Sequence, residues 1–168
     1  MNFELKFSDL SVAGPVKMEF DPEFDNIVSI LNGTCDALEG TGTFVIEGFG
    51  RGIWPTDLYS DLCIFLEHLP VALIAIESKK DFVIEFYEQG LELRLEFFVE
   101  GDRYIARCAP MHGVLENSVR PTETIDTKTI HQMFRGVMDE FLRVVRQLYP
   151  WLLDNPCVRG WLKGEPVW

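Results

Sequence analysis

"LELRLEFFVEGDRYIARC", residues 91–108, decides the fold. Apolar residues alternate with Glu92, Arg94, Glu96 and Glu100, the two-residue period of a strand with one buried face. Gly101-Asp102 breaks the run and reads as a two-residue hairpin turn. That turn fixes the pairing. Glu100 faces Arg103, Phe98 faces Ile105 and Glu96 faces Arg107 on one side, while Val99–Tyr104, Phe97–Ala106 and Leu95–Cys108 fill the other. Such cross-strand pairs contribute roughly 0.2–1 kcal/mol each. The charged side is therefore neutralised by its own return strand, which makes the hairpin scaffold and moves the search for function elsewhere.

Outward from the hairpin, "DFVIEFYE" (81–88) supplies a further strand and gives an antiparallel meander. A helix follows, capped by Asp126 or Thr127 and ended by Pro150, with Ile130, Phe134, Val137, Met138, Phe141, Val145 and Leu148 as its apolar stripe. Arg135–Asp139 and Asp139–Arg143 are spaced as i,i+4 pairs on its polar side. Before the meander, Leu58, Leu62, Phe65, Leu66 and Leu69 predict a second helix, with Thr56 as N-cap and Pro70 as its end. "VALIAI" (71–76) is ambiguous between a buried strand and more helix.

Residues 3–20 read as a hairpin turning at "SVAGP" (11–15). "IVSIL" (27–31) reads as a short strand, "NGTCDALEGTG" (32–42) as turns and "TFVIEGF" (43–49) as a strand. The expected architecture is α+β: an antiparallel β-sheet meander packed with two main helices. Residues 1–150 form one domain, and 151–168 form a tail docked through Trp161 and Trp168.

At 168 residues the chain can bury a sizeable core, and 47% hydrophobic with 25% charged residues is ordinary for a globular domain. The start, "MNFELKFSDL", lacks the basic and apolar regions of a signal peptide. Cys35, Cys63, Cys108 and Cys157 are scattered, with no C-x-x-C pair. Reduced thiols in a cytoplasmic protein are expected.

Charge is distributed unevenly. Residues 18–78 hold eleven acids against the single base Arg51, which leaves only −2 of the total −12 for the rest of the chain. An acidic surface repels nucleic acid and anionic membranes, so neither is an expected partner. It attracts basic partners and speeds their association.

Catalytic signatures are missing. "GFGRG" (48–52) fits neither phosphate-binding frame, and there is no G-x-S-x-G and no H-E-x-x-H. No metal, cofactor or catalytic residue is expected. Asp57 and Asp61 form the one tight carboxylate pair, which the positive end of a helix N-terminus explains. Cys63 reads as a small core residue. Arg51 and Trp54 are residue types enriched at binding hot spots, though packing suits the Trp better.

The order of the pieces is itself a pattern. A glycine-containing strand runs into "GIWPTDLYSDLCIFLEHL" (52–69). The meander "FVIEFYEQGLELRLEFFVEGDRYIARC" (82–108) follows, and "DTKTIHQMFRGVMDEFLRVVRQLYP" (126–150) closes it. Over roughly residues 42–150 this resembles the WapI-like immunity proteins of bacterial polymorphic toxin systems, with Thr56, Asp57 and Leu58 matching the opening of their first helix. The resemblance implies a non-enzymatic protein that binds and neutralises a cognate toxin domain, often a nuclease. A nuclease is basic where it grips phosphate, which the acidic segment complements. The expected contact residues are Asp21, Glu23, Asp25, Asp36, Glu39, Arg51, Asp57 and Asp61. Two alternatives stay open: an enzyme or ligand-binding protein with a site built from distant residues, which requires a polar pocket, and an oligomerising subunit, which requires an exposed apolar patch.

Overall fold

The computed structural model describes residues 1–16, 21, 25–87, 92–111 and 121–165. The element order is β1 (Asn2–Phe7), α1 (Ile27–Ala37), β2 (Gly42–Glu47), α2 (Asp61–Glu77), β3 (Phe82–Phe86), β4 (Leu93–Glu100), β5 (Arg103–Pro110), β6 (Thr122–Asp126), α3 (Thr127–Leu148) and α4 (Pro156–Leu162). Strands β3–β4–β5–β6 form an antiparallel meander, and β1 pairs with β2 in a separate two-stranded sheet. The fold is α+β.

The β4–β5 pairing follows the register expected from the sequence, from Glu100↔Arg103 to Leu95↔Cys108. Gly101 turns the chain at φ 65°, a conformation that costs glycine nothing. The outer face of this sheet is internally compensated. Arg94 bonds Glu85, Arg103 lies 3.4 Å from Glu100, and the Arg107 guanidinium sits 4.9 Å from the Phe98 ring centre.

The inner face carries Phe82, Ile84, Phe86, Leu95, Phe97 and Tyr104 against α2 and α3, all buried. Its centre is an aromatic cluster. The Phe134 ring of α3 stands edge-on to Phe3 and Phe65, with centroids 5.1 and 5.2 Å away, and to Phe82 and Phe97 at 6.0 Å each. Phe3 thereby ties β1 to α3, and the Phe7 amide, at the end of the same strand, donates to Glu140 at 3.5 Å.

Four sequence expectations are corrected. The first concerns β1, whose partner is β2 (Phe3↔Ile46, Leu5↔Phe44), while a 3₁₀ turn at Leu10–Val12 stands where the hairpin turn was expected. Of the hairpin's return strand (16–20), Val16 is not in a strand, and residues 17–20 lie outside the described residues. A Cβ on Gly42 would lie 2.1 Å from the Lys6 carbonyl oxygen, so β1 can approach β2 this closely only over a glycine.

The second correction is α1: residues 27–37 are helical, not strand and turn. Asn26 accepts from the amides of Val28 and Ser29, and Ser29 Oγ accepts from the Asn26 amide, a reciprocal capping box. Ile27, Ile30, Leu31, Thr34 and Cys35 then bury one helical face.

The third is α2, which runs straight through Pro70 to Glu77 and makes "VALIAI" helix. Proline has no amide hydrogen for the carbonyl four residues back, here that of Leu66. The structure supplies a substitute: Trp161 Nε1–H donates to Leu66 O at 2.8 Å. Thr56 is not the cap of this helix, since its hydroxyl donates to Phe44 O at 2.5 Å.

The fourth concerns the charges on α3. Arg135 reaches Glu77 on α2 at 3.3 Å, and Arg143 takes Glu140 at 2.8 Å, rather than both sharing Asp139.

The C-terminal segment is docked as far as it is described. A 3₁₀ turn (Pro150–Asp154) leads into α4, whose Asn155 cap accepts from the Cys157 amide at 2.8 Å, and Trp161 is 2% exposed. Trp168 lies outside the described residues.

Candidate functional site

The acids expected to meet a partner fall into distinct environments. Asp36, in the last turn of α1, and Glu39, just beyond it, are both exposed. No basic residue stands in that turn. A helix C-terminus carries partial negative charge, so an acid there costs roughly 0.3–1 kcal/mol. Neither side chain forms an ion pair among the described residues, and the same holds for Glu47 and Asp57.

Asp57 and Asp61 are held together. Asp57 Oδ1 accepts from the amides of Ser60 (2.6 Å) and Asp61 (3.2 Å), while Asp61 Oδ2 accepts from the Asp57 amide (2.9 Å). This reciprocal arrangement starts α2. It also corrects the expectation for Asp61, which is 6% exposed and serves the backbone instead of presenting its charge to a partner. Asp21 and Asp25 are likewise joined, the Asp21 amide donating to Asp25 Oδ2 at 2.7 Å. Glu23 lies outside the described residues.

Arg51 stands apart from these acids. Its guanidinium sits 5.9 Å from the centre of the Trp54 ring, and Trp54 is buried with its indole N–H on Gly48 O at 3.1 Å. Phe49, in the same loop, donates its amide to Glu123 of β6, which anchors the loop to the edge of the larger sheet.

Burial of Asp61 raises its pKa from 3.8 to about 6; the Asp57 amide opposes the rise and the Asp57 charge adds to it. The folded form thus takes up a proton more readily than the unfolded chain. The charged carboxylate costs stability above pH 6, and the cost fades as pH falls toward 3.8, on the order of 2–3 kcal/mol in all. Asp61→Asn is therefore expected to be more stable than wild type at pH 8. The gap should narrow steadily in urea titrations at pH 6 and 4.5, and a gap constant across pH would show that the charge carries no penalty.

Beside this helix start lies a feature the sequence did not reveal. Glu67 is 1% exposed, yet it lines a cavity of about 250 Å³ with Asn32, Tyr59, Ser60, Ile64 and Tyr87. The Tyr87 hydroxyl donates to Glu67 Oε2 at 2.9 Å. The Cys63 thiol donates to Asn32 Oδ1 at 3.0 Å and faces Glu67 Oε1 at 3.9 Å. Behind it, the Cys35 thiol is pushed well above its ordinary pKa, first by its hydrogen bond with Cys63, then by burial and the negative charges around it. Cys35 is thus no nucleophile. A signal did exist: Glu67 is the only acid from Leu62 to Ile76, an otherwise almost wholly apolar run.

A larger hollow of about 600 Å³ opens between α2, the β4–β5 turn and the start of α3; in its wall Lys79 pairs with Asp102 at 2.6 Å, and His131 Nε2 lies 3.1 Å from Glu77. Val71, Ile74 and Val83, each more than 40% exposed, line a third hollow on the α2–β3 side. This is the type of surface that the oligomer alternative requires.

Among the described residues no group of three or more His, Cys, Asp or Glu is placed to hold a metal, and no helix is long and apolar enough to cross a membrane. All four cysteines are free thiols. No family model, curated protein or solved structure matches the chain, so the likeness to WapI-like immunity proteins stands on the sequence pattern alone.

Proposed function

We propose that this is a cytoplasmic, non-enzymatic binding protein that holds and neutralises a basic protein domain, of the toxin kind that the immunity-protein resemblance implies. One observation carries the reading. Asp36, Glu39, Glu47 and Asp57 have no ion pair among the described residues, whereas the charges of the sheet's outer face are matched within the sheet. Asp36 and Glu39 moreover stand at a helix end where they lower stability, a placement that serves a partner better than the fold.

The test is binding to the toxin domain encoded beside the gene, measured across about 50 to 300 mM salt, a range over which the screening length shortens markedly. Association is expected to slow steeply with salt. The combined variant Asp36→Asn, Glu39→Gln, Asp57→Asn keeps the Asp57 capping acceptors; it should lower the association rate about tenfold and flatten the salt dependence. Failure of the wild-type protein to bind that domain or to protect cells from it sinks the reading, and a triple variant that associates at the wild-type rate removes its electrostatic basis.

A further inference from the structure

We infer that the cavity between α1, the start of α2 and the end of β3 is a receptor for a guanidinium group, an arginine side chain of the partner, held against Glu67 between Tyr59 and Tyr87. The source of the arginine rests on the binding reading above; the chemistry of the cavity does not.

Size comes first. A space of about 250 Å³ admits one long side chain and little more. Its wall offers a carboxyl group, two phenol rings, a hydroxyl and the apolar side chain of Ile64. The carboxyl of Glu67 is set among buried apolar neighbours on α2, where ionisation is costly without a paired cation and attraction to one acts through a low dielectric. Tyr87 fixes one of its oxygens at 2.9 Å, so the group is oriented in advance.

The aromatic residues narrow the choice of cation. Tyr59 is 51% and Tyr87 43% exposed, a large aromatic surface for a monomer to leave in water beside a buried acid. Ring faces attract cations. A guanidinium suits them better than an ammonium, because it is planar, weakly hydrated and stacks on aromatic rings while its edge bonds a carboxylate. Tyrosine is also among the residues that most often anchor interfaces.

The surroundings agree with a cationic guest. Asn32 in the wall lies one helical turn before the exposed Asp36 on α1, and Ser60 in the wall bonds the Asp57 carboxylate at 2.6 and 3.1 Å. The cavity is therefore bordered by Asp36 and Asp57, two of the acids without an ion pair among the described residues. A desolvated anchor inside a charged rim is the usual anatomy of a tight interface.

The experiment uses the whole protein and, as probe, arginine blocked at both ends (N-acetyl-arginine methylamide), with the blocked citrulline as its uncharged isostere. NMR titration should show saturable movement of the Tyr59 and Tyr87 ring signals with half-saturation of about 1 mM, the strength open to so small a ligand. Citrulline should fail to saturate, and blocked lysine should bind several-fold more weakly. Glu67→Gln keeps an acceptor for Tyr87 and should weaken the probe at least about tenfold; the exposed Tyr59→Ala, which leaves the core untouched, should weaken it several-fold.

Equal binding of citrulline, or unchanged affinity in Tyr59→Ala, overturns the assignment. The source is tested by competition: the toxin domain should displace the probe, and a domain that binds without displacing it overturns the arginine side chain as guest. A protein that binds the probe but no toxin domain retains the guanidinium site and loses the neutralising role, so the two failures are told apart.

Discussion

Replacing Phe134 by alanine should lower stability by about 3–5 kcal/mol, the usual cost of emptying a large aromatic site in a packed core. This ring is fully buried and meets four other phenylalanines from β1, α2, β3 and β4. Edge-to-face pairs add roughly 0.5–1.5 kcal/mol each beyond the area they bury, and alanine forfeits all four. At roughly 2–4 °C per kcal/mol for a chain of this size, the melting temperature should fall by about 6–20 °C. Phe134→Leu keeps much of the volume and should cost about 1.5 kcal/mol or a little more, the excess being the lost ring contacts. Thermal and urea unfolding of the two variants checks this. An alanine variant melting within about 3 °C of wild type would mean that the surrounding rings collapse into the gap and that Phe134 is not the hub.

The second large effect belongs to Trp161. Its indole N–H stands in for the hydrogen that Pro70 cannot give to the Leu66 carbonyl. Trp161→Phe leaves that buried carbonyl without this donor and also removes volume, which together should cost about 2–4 kcal/mol. The informative variant is the double one. Alanine at 70 restores an amide in the right place for Leu66 O. In a Pro70→Ala background, loss of the indole donor should therefore be cheaper by about 1–2 kcal/mol. Urea midpoints of the wild type, both single variants and the double variant give this coupling directly. Costs that add to within about 0.5 kcal/mol would show that the tryptophan and the proline act independently.

The same pair shows where the sequence stops being legible. Alternation between Leu93 and Pro110 fixed the β4–β5 register because a two-residue turn leaves one solution, and the apolar stripe of α3 needed no distant help. Pro70 read as a stop because the group that lets the helix continue lies 91 residues later, on a tryptophan no local rule connects to it. The error at α1 was different. Asn32-Gly33 resembles a turn, but the cap formed by Asn26 and Ser29 and the buried face from Ile27 to Cys35 outweigh two weak helix formers.

At the candidate site, composition located the acidity, and only coordinates separated exposed Asp36 and Glu39 from Asp61, which is spent on the backbone. Glu67 is not legible in the same way, because an isolated acid in an apolar helix gives no hint of which side opens to a cavity.

The placement of β1 has a consequence in time. Phe134, one of the rings on which Phe3 packs, is made more than a hundred residues after it. At roughly 5–20 residues per second, the wait is on the order of ten seconds. During that interval β1 can pair with β2 and Phe3 can stack on Phe65 of α2, 5.2 Å away, but the face that α3 covers stays open. A chain with that face still open is more prone to aggregate than the finished protein, so slow translation near residues 127–148 is expected to lower the yield of folded protein more than the stability of what has folded.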